Sequence, residues 1–322
     1  MKFRTLGRTG LNVGDIGYGA WGIGKAMWVG ADDNESIRSL QAARDLGVNF
    51  FDTALAYGDG HSERLINRTF GKDKDVILAS KIPPLNRVWD VKRGSPLQNT
   101  FPKQYVLDCL DESLRNLGRD QLDIMQFHTW IDDWATDAEW LDTIRLMKKS
   151  GKVRFIGISV QSHDPSNVLK ALDTGLVDTV QVIHNIFDQS PEDELFPYAE
   201  KHNIGIIVRV PFDEGALTGK VNPDTTFPDG DFRNNYFAGN RKRDVWEHIQ
   251  DITEGLNIDV AQLPEYALRY CLSFPAVSTV IPGMRSIKHV EANTAASDKG
   301  PLPADVVKKM HQYRWVRDYY SA

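Results

Sequence analysis

Four residues of this sequence carry groups that could do chemistry together: Asp52, Tyr57, Lys81 and His128. Asp52 ends the apolar run "VNFFD" at 48–52, and Tyr57 follows beside Gly58 in a turn-prone stretch. Lys81 closes "VILASK" at 76–81, and His128 directly follows "DIMQF" at 123–127. Singly, each has a plain structural reading: a polar strand end, a ring packed over a rim, a solvated lysine, a core histidine. Together they place a carboxylate, a phenol, an ammonium and an imidazole at the ends of successive strand-like runs.

That combination suits delivery of hydride to a carbonyl. The carbonyl oxygen becomes an alkoxide as hydride arrives, so the site needs a proton donor and polar donors beside that oxygen. Tyr57 can donate, but an unperturbed phenol has a pKa of about 10. A neighbouring Lys81 ammonium is expected to lower it. Asp52 would hold Lys81 charged and aimed, and His128 would orient the substrate oxygen. The competing chemistry is a metal site built from Asp52, His128 and His163 or His184. Lys81 among them disfavours a divalent ion, so no metal is expected.

The elements that must position these groups form a repeating pattern. After a hairpin-like opening at 2–13, strand-like runs recur at 16–20, 48–52, 76–81, 123–127, 153–159, 177–183, 204–210 and 277–282. Helix-like segments lie between them. The first has Asp33 or Asn34 as N-cap, Ile37, Leu40, Ala43 and Leu46 along one side, and Gly47 as stop. Another starts near Pro102, carries Val106, Leu110, Leu114 and Leu117, and ends at Gly118. Eight strand–helix units without a linker predict one α/β domain over 1–322: a (β/α)8 TIM barrel with an N-terminal β-hairpin and long βα loops. The alternative is an open doubly wound sheet. "GYGAWGIG" at 17–24 partly imitates its phosphate turn, but no acidic residue closes the second strand in the ribose-binding manner. In a barrel the working face lies at the C-terminal strand ends, where all four groups fall.

A net charge of −6 argues against nucleic acid or an anionic membrane as partner. No apolar run approaches membrane-spanning length, and Cys109 and Cys271 lack metal or redox spacing. A soluble cytoplasmic protein with buried thiols is expected. After the last strand, "PGMRSIKHVEAN" at 282–293 offers a Gly283 turn, Arg285 and a Ser-led helix start with Lys288, which suits a phosphate. An ordinary surface helix reads equally well from that segment alone.

The chain resembles the aldo-keto reductase family along "FFDTALAYGDGHSE", "ILASKI", "DIMQFH", "VRFIGIS", "GALTGK" and "VIPGMRS…EAN", over about residues 1–300. The resemblance implies a (β/α)8 barrel that uses NAD(P)H without a dinucleotide-binding fold of the doubly wound type, and Arg285 beside the helix start makes NADPH the expected cofactor in preference to NADH. It implies Tyr57 as general acid/base, completed by Lys81, Asp52 and His128. It places Gly19, Ala20 and Trp21 at the nicotinamide end and Ser159 and Gln181 on its carboxamide. The backbone around Leu217, Gly219 and Lys220 takes the pyrophosphate, and Arg285, His289 and Asn293 the adenosine 2′-phosphate and adenine. The sequence departs from the family pattern at four positions. Val160 leaves one carboxamide contact without its usual asparagine, His184 replaces a tyrosine, and Ala292 replaces an acidic residue before Asn293. Arg209 stands where an aromatic ring stacks on the nicotinamide, either to stack itself or to turn toward Asp213 or Glu214.

Trp21, Trp89 and Trp130 could wall a pocket for an aromatic or sugar-like carbonyl. Trp28 and Trp134 read as loop packing. Asp132 and Asp133 would bond substrate hydroxyls or face solvent. The Gly/Pro/Asn-rich stretch 211–239 reads as a cofactor-covering flap. A small-molecule carbonyl reductase is the reading; a nicotinamide-binding regulatory subunit, like relatives attached to ion channels, is the alternative. Four intact groups favour the enzyme.

Overall fold

Apolar runs with few polar positions cannot leave a sheet face in water, and parallel strands covered by helices bury both faces. The computed structural model describes residues 1–25, 27–71 and 73–320. It opens with an antiparallel hairpin, β1 (Phe3–Thr5) and β2 (Asn12–Gly14). Eight parallel strands follow, each beside the next in sequence: β3 (Tyr18–Gly19), β4 (Phe50–Asp52), β5 (Ile77–Ile82), β6 (Leu122–Phe127), β7 (Val153–Ser159), β8 (Thr179–Ile183), β9 (Gly205–Arg209) and β10 (Val277–Val280). The first and last strands meet. Gly17 N–H donates to Val280 O at 2.8 Å and Gly19 N–H to Pro282 O at 3.0 Å, which closes the sheet into a (β/α)8 barrel. Gly19 has a steric role at this seam, since a Cβ there would lie 2.6 Å from Ile281 O.

The hairpin closes the N-terminal mouth. Leu6, Leu11 and Val13 pack on Phe50, Ala79, Ile124 and Ile207 inside the barrel, and Arg8 N–H bonds Asn203 O, beside the start of β9, at 2.6 Å. The opposite mouth is left to the loops. Around the strands run α1 (Asp33–Asp45), α2 (His61–Phe70), α3 (Lys103–Leu117), α4 (Ala138–Lys149), α5 (Leu169–Asp173) and α6 (Leu195–His202). After β9 come α7 (Arg233–Tyr236), α8 (Arg241–Leu256) and α9 (Leu263–Leu272); α10 (Ile287–Lys299) and α11 (Ala304–Met310) follow β10. The cap of α1 falls one residue before the expected position: Asp32, not Asp33 or Asn34, accepts the Glu35 N–H at 2.9 Å. At α3, Pro102 precedes the first turn and Gly118 ends the helix in the left-handed region, as expected. Cys109 and Cys271 are buried free thiols on α3 and α9. No helix among the described residues is long and apolar enough to cross a membrane.

Candidate active site

Adjacent strands bring the polar groups together. β4 pairs Asp52 with Ala79 of β5, and β5 pairs Lys81 with Gln126 of β6. Asp52 and Lys81 therefore end at the C-terminal mouth, and both are buried. The Lys81 ammonium uses all three of its protons: one to the Asp52 carboxylate, one to Thr53 O at 2.8 Å and one to the Tyr57 hydroxyl at 3.1 Å. The second Asp52 oxygen accepts from Gln126 Nε2 at 2.9 Å and Gln181 Nε2 at 2.8 Å. A buried ion pair is tolerated when its remaining lone pairs are satisfied in this way. Tyr57 reaches Lys81 because its turn packs backbone to backbone on Gly24. Gly58 has φ +65°, and a Cβ there would lie 2.0 Å from Gly24 O, so only glycine fits.

His128 completes the group. Its ring lies edge-on to the Tyr57 ring with centroids 5.8 Å apart, its backbone N–H bonds Ile82 O at 3.0 Å, and its buried Nδ1 has no partner among the described residues. Burial, then the charges of Lys81, Arg209 and Arg87, hold the imidazole well below its ordinary pKa, so it is neutral. Burial also lowers Lys81, but Asp52 and Tyr57 outweigh it and the ammonium stands above its ordinary value. The expected lowering of Tyr57 does not prevail. Burial raises the phenol and Asp52 adds to that, while Lys81 opposes them without cancelling them. Tyr57 is thus firmly protonated at neutral pH in this state.

Two of the three tryptophans expected at the pocket border this group. Trp21 stacks on Tyr57 at 6.3 Å, and Trp89, 40% exposed, meets His128 edge-on at 5.8 Å. Trp130 does not. It is fully buried, packed on Trp140 at 4.7 Å and Trp134 at 5.5 Å, because its rim position is covered by the loop that carries Trp134. Asp132 is a loop tether, taking the Trp130 Nε1 proton and two α5 backbone protons, whereas Asp133 is exposed and faces solvent, accepting the Gly94 N–H on one oxygen. Trp28 packs with Trp21 and Phe232, as the loop-packing reading expects.

Arg209 ends β9. Its Nη2 donates to Val160 O at 3.1 Å, and its Nε has no partner among the described residues. It does not turn to Asp213 or Glu214, because both are taken: Arg317 pairs with Asp213, and the Tyr320 hydroxyl donates to Glu214. The stretch 211–239 is more ordered than a plain flap, with a 3-10 segment Asp213–Thr218 and α7. It meets the loop after β3 through Trp21, Trp28 and Phe232, and through Val29 N–H to Asp231 at 3.3 Å.

The sequence model of the Aldo/keto reductase family matches residues 15–314. The chain belongs to the aldo/keto reductase family. It is an oxidoreductase of that type. It is 31% identical over 298 residues to the aldo-keto reductase YhdN of Bacillus subtilis (strain 168), covering 91% of this chain and 87% of that one. Aldo-keto reductase AKR11C1 from Bacillus halodurans, in its holo form, superposes with a TM-score of 0.78 at 26% identity over 100% of this chain and 99% of the other. A probable voltage-gated potassium channel subunit beta of Arabidopsis thaliana is 28% identical, covering 95% of this chain and 94% of its own.

Aldo-keto reductases use nicotinamide cofactors, and basic residues at the barrel mouth suit an anionic nucleotide. Lys220, Arg285 and Lys288 lie close enough to His289 to lower its pKa together with burial. Among the described residues no carboxylate forms an ion pair with any of these four. Arg285 donates to Val29 O at 3.0 Å and crosses Gly22, where a Cβ would stand 2.8 Å from its Cδ. Asn293 is buried on α10 and points its Nδ2 toward Gly283 O at 3.5 Å. Gly283 itself has open space where a Cβ would go, so its glycine is not a steric need. Ala20 is buried beside this mouth, and Ser159 lies buried at the end of β7 opposite Gln181. Two expected contacts are already occupied in this state. Gln181 spends its amide protons on Asp52 and Gln126, and the Leu217, Gly219 and Lys220 amides bond Phe212 O, Ala216 O and Thr218 Oγ1 within their own turn. Gln126 and the Thr53 carbonyl are site groups the sequence reading missed. A glutamine inside the apolar run "DIMQF" was the available signal.

Proposed function

We propose that this chain, acting as one barrel unit, is an NADPH-dependent carbonyl reductase with Tyr57 as its proton donor. The observation that carries the reading is the Lys81 ammonium held between the Asp52 carboxylate and the Tyr57 hydroxyl. When bound, the cofactor supplies hydride to the carbonyl carbon. Tyr57 gives its proton to the oxygen as negative charge develops there, and Lys81 stabilises the phenolate left behind. Neutral His128 offers a hydrogen bond to the same oxygen without competing as an acid. Asp52 keeps Lys81 charged, and Gln126 and Gln181 keep Asp52 in place. In the oxidative direction the same groups act in reverse, with the Tyr57 phenolate as base.

NADPH is preferred over NADH because Lys220, Arg285 and Lys288 form a cationic cluster around His289, whose imidazole burial and these three charges keep neutral. Ser159 and Gln181 would face the carboxamide, with Gln181 releasing one of its present bonds. Trp21 and Trp89 flank Tyr57 and His128 and suit a flat aromatic or sugar-like carbonyl. A regulatory, channel-subunit role has no separate feature in its favour, whereas a proton donor poised against a buried ammonium serves turnover. The test is turnover of a panel of aldehydes, quinones and keto-sugars with NADPH and with NADH. Reduction of at least one class, faster with NADPH at limiting cofactor, is expected; nucleotide binding without turnover of any class would contradict the reading.

A further inference from the structure

The C-terminal segment after α11 crosses back over the loops of the barrel mouth. His311 meets Glu192 at 3.1 Å and Arg314 meets Asp193 at 2.8 Å, which fix where it begins. From Trp315 onward the chain is in neither helix nor strand, and its residues alternate: Trp315, Arg317 and Tyr319 are half-buried, while Val316, Asp318 and Tyr320 are more exposed. The Trp315 N–H bonds Phe187 O at 2.9 Å, as a strap would bond an edge. Arg317 sits between rings, 3.9 Å from Trp315 and 4.7 Å from Phe187, and pairs with the buried Asp213 carboxylate. The Tyr320 hydroxyl bonds Glu214.

Both acids belong to the turn Asp213–Thr218, which leads into Gly219 and Lys220. Asp213 and Glu214 have φ of +48° and +54°, a region that residues with side chains rarely adopt and that persists only when surroundings impose it. Both are buried beside the segment around Leu217, Gly219 and Lys220, to which the family resemblance gives the cofactor diphosphate, a group that two adjacent carboxylates would repel. We propose that the strap 315–320 is a working part of the cofactor site. Arg317 cancels the Asp213 charge and the Tyr320 hydroxyl fixes Glu214 by a hydrogen bond, so the turn meets a dinucleotide diphosphate as a fixed backbone with the Asp213 charge neutralised. Arg317 and Tyr320 are positioning residues: they act through the turn and touch no reacting atom. This inference rests on the proposed nucleotide site.

The experiment measures NADPH affinity of the purified full chain by fluorescence titration, without turnover, for wild type, Arg317→Met, Arg317→Lys and Asp213→Asn/Arg317→Met. An uncancelled charge next to a phosphate should weaken NADPH binding by roughly tenfold or more in Arg317→Met. The double variant, which removes the acid as well, and Arg317→Lys, which keeps the charge, should both bind within about threefold of wild type. A strap that only packs would behave otherwise: the double variant would bind no better than Arg317→Met, and that result overturns the proposal. Equal affinity in Arg317→Met and wild type also overturns it. If Arg317→Met does not fold, the double variant decides, since it buries no unpaired charge. Wild-type-like binding supports the proposal and a tenfold loss overturns it. Wild type that binds no nicotinamide nucleotide would sink the functional reading and the strap with it, and is thereby distinct from a failure of the strap alone.

Discussion

The Lys81 ammonium lies 3.1 Å from the Tyr57 hydroxyl and is held there by Asp52 and the Thr53 carbonyl, with no proton left for water. The pair is therefore preorganised: the cation that would stabilise a phenolate is in place before any substrate arrives. Its cost is a buried carboxylate and ammonium that depend on one another, and this makes their structural and chemical roles separable.

Lys81→Met strands the buried Asp52 carboxylate, which should destabilise the fold by about 3–5 kcal/mol. Asp52→Asn/Lys81→Met leaves no buried charge and should recover most of that loss while turnover stays abolished. Urea unfolding and a reductase assay on both variants check this. A double variant as unstable as the single one would show that charge is not the cause.

Arg285→Ala removes a guanidinium from the cation cluster at the start of α10. A charge-assisted bond of about 1.5–3 kcal/mol corresponds to roughly ten- to a hundredfold in affinity. NADPH should weaken by that factor, and NADH, without the 2′-phosphate, should change little. Titration of both nucleotides checks it; equal losses would show that Arg285 does not read that phosphate.

Burial, with Asp213 nearby, pushes Glu214 up to about 7, while its Tyr320 bond, Arg209 and Arg233 pull the other way. A carboxyl held above its unfolded value binds its proton more tightly in the folded chain. The resulting stability is fully present below the unfolded pKa and is lost as pH rises to about 7. Across that window the loss should be on the order of 2–3 kcal/mol. Glu214→Gln should remove the slope, so it gains on wild type at pH about 8 relative to pH about 4.5. Urea midpoints at the two pH values test this; the same difference at both would contradict it.

The barrel was legible because its strands are buried on both faces and read as unbroken apolar runs. Asp52, Lys81 and His128 were legible because they break that rule at strand ends, where a barrel places its working groups. The departures have one origin, which is contact between distant segments. Trp130 lies in a rim loop by sequence, but Trp134 and Trp140 cover it. Gln181 reaches Asp52 across the barrel, 129 residues away, and Arg317 reaches Asp213 across 104. Neither spacing carries a local signal. The net rise of Tyr57 was hidden for a similar reason, since residue types show the neighbouring charge but not the depth of burial that outweighs it.

The central claim is that Tyr57 gives the proton. Tyr57→Phe keeps the ring against Trp21 and His128 and removes only the hydroxyl. Turnover on the best aldehyde should fall by roughly 10²–10⁴, the usual loss of a general acid, while NADPH affinity measured in parallel stays within about twofold. A Tyr57→Phe chain that reduces that aldehyde at near wild-type rate would contradict the account.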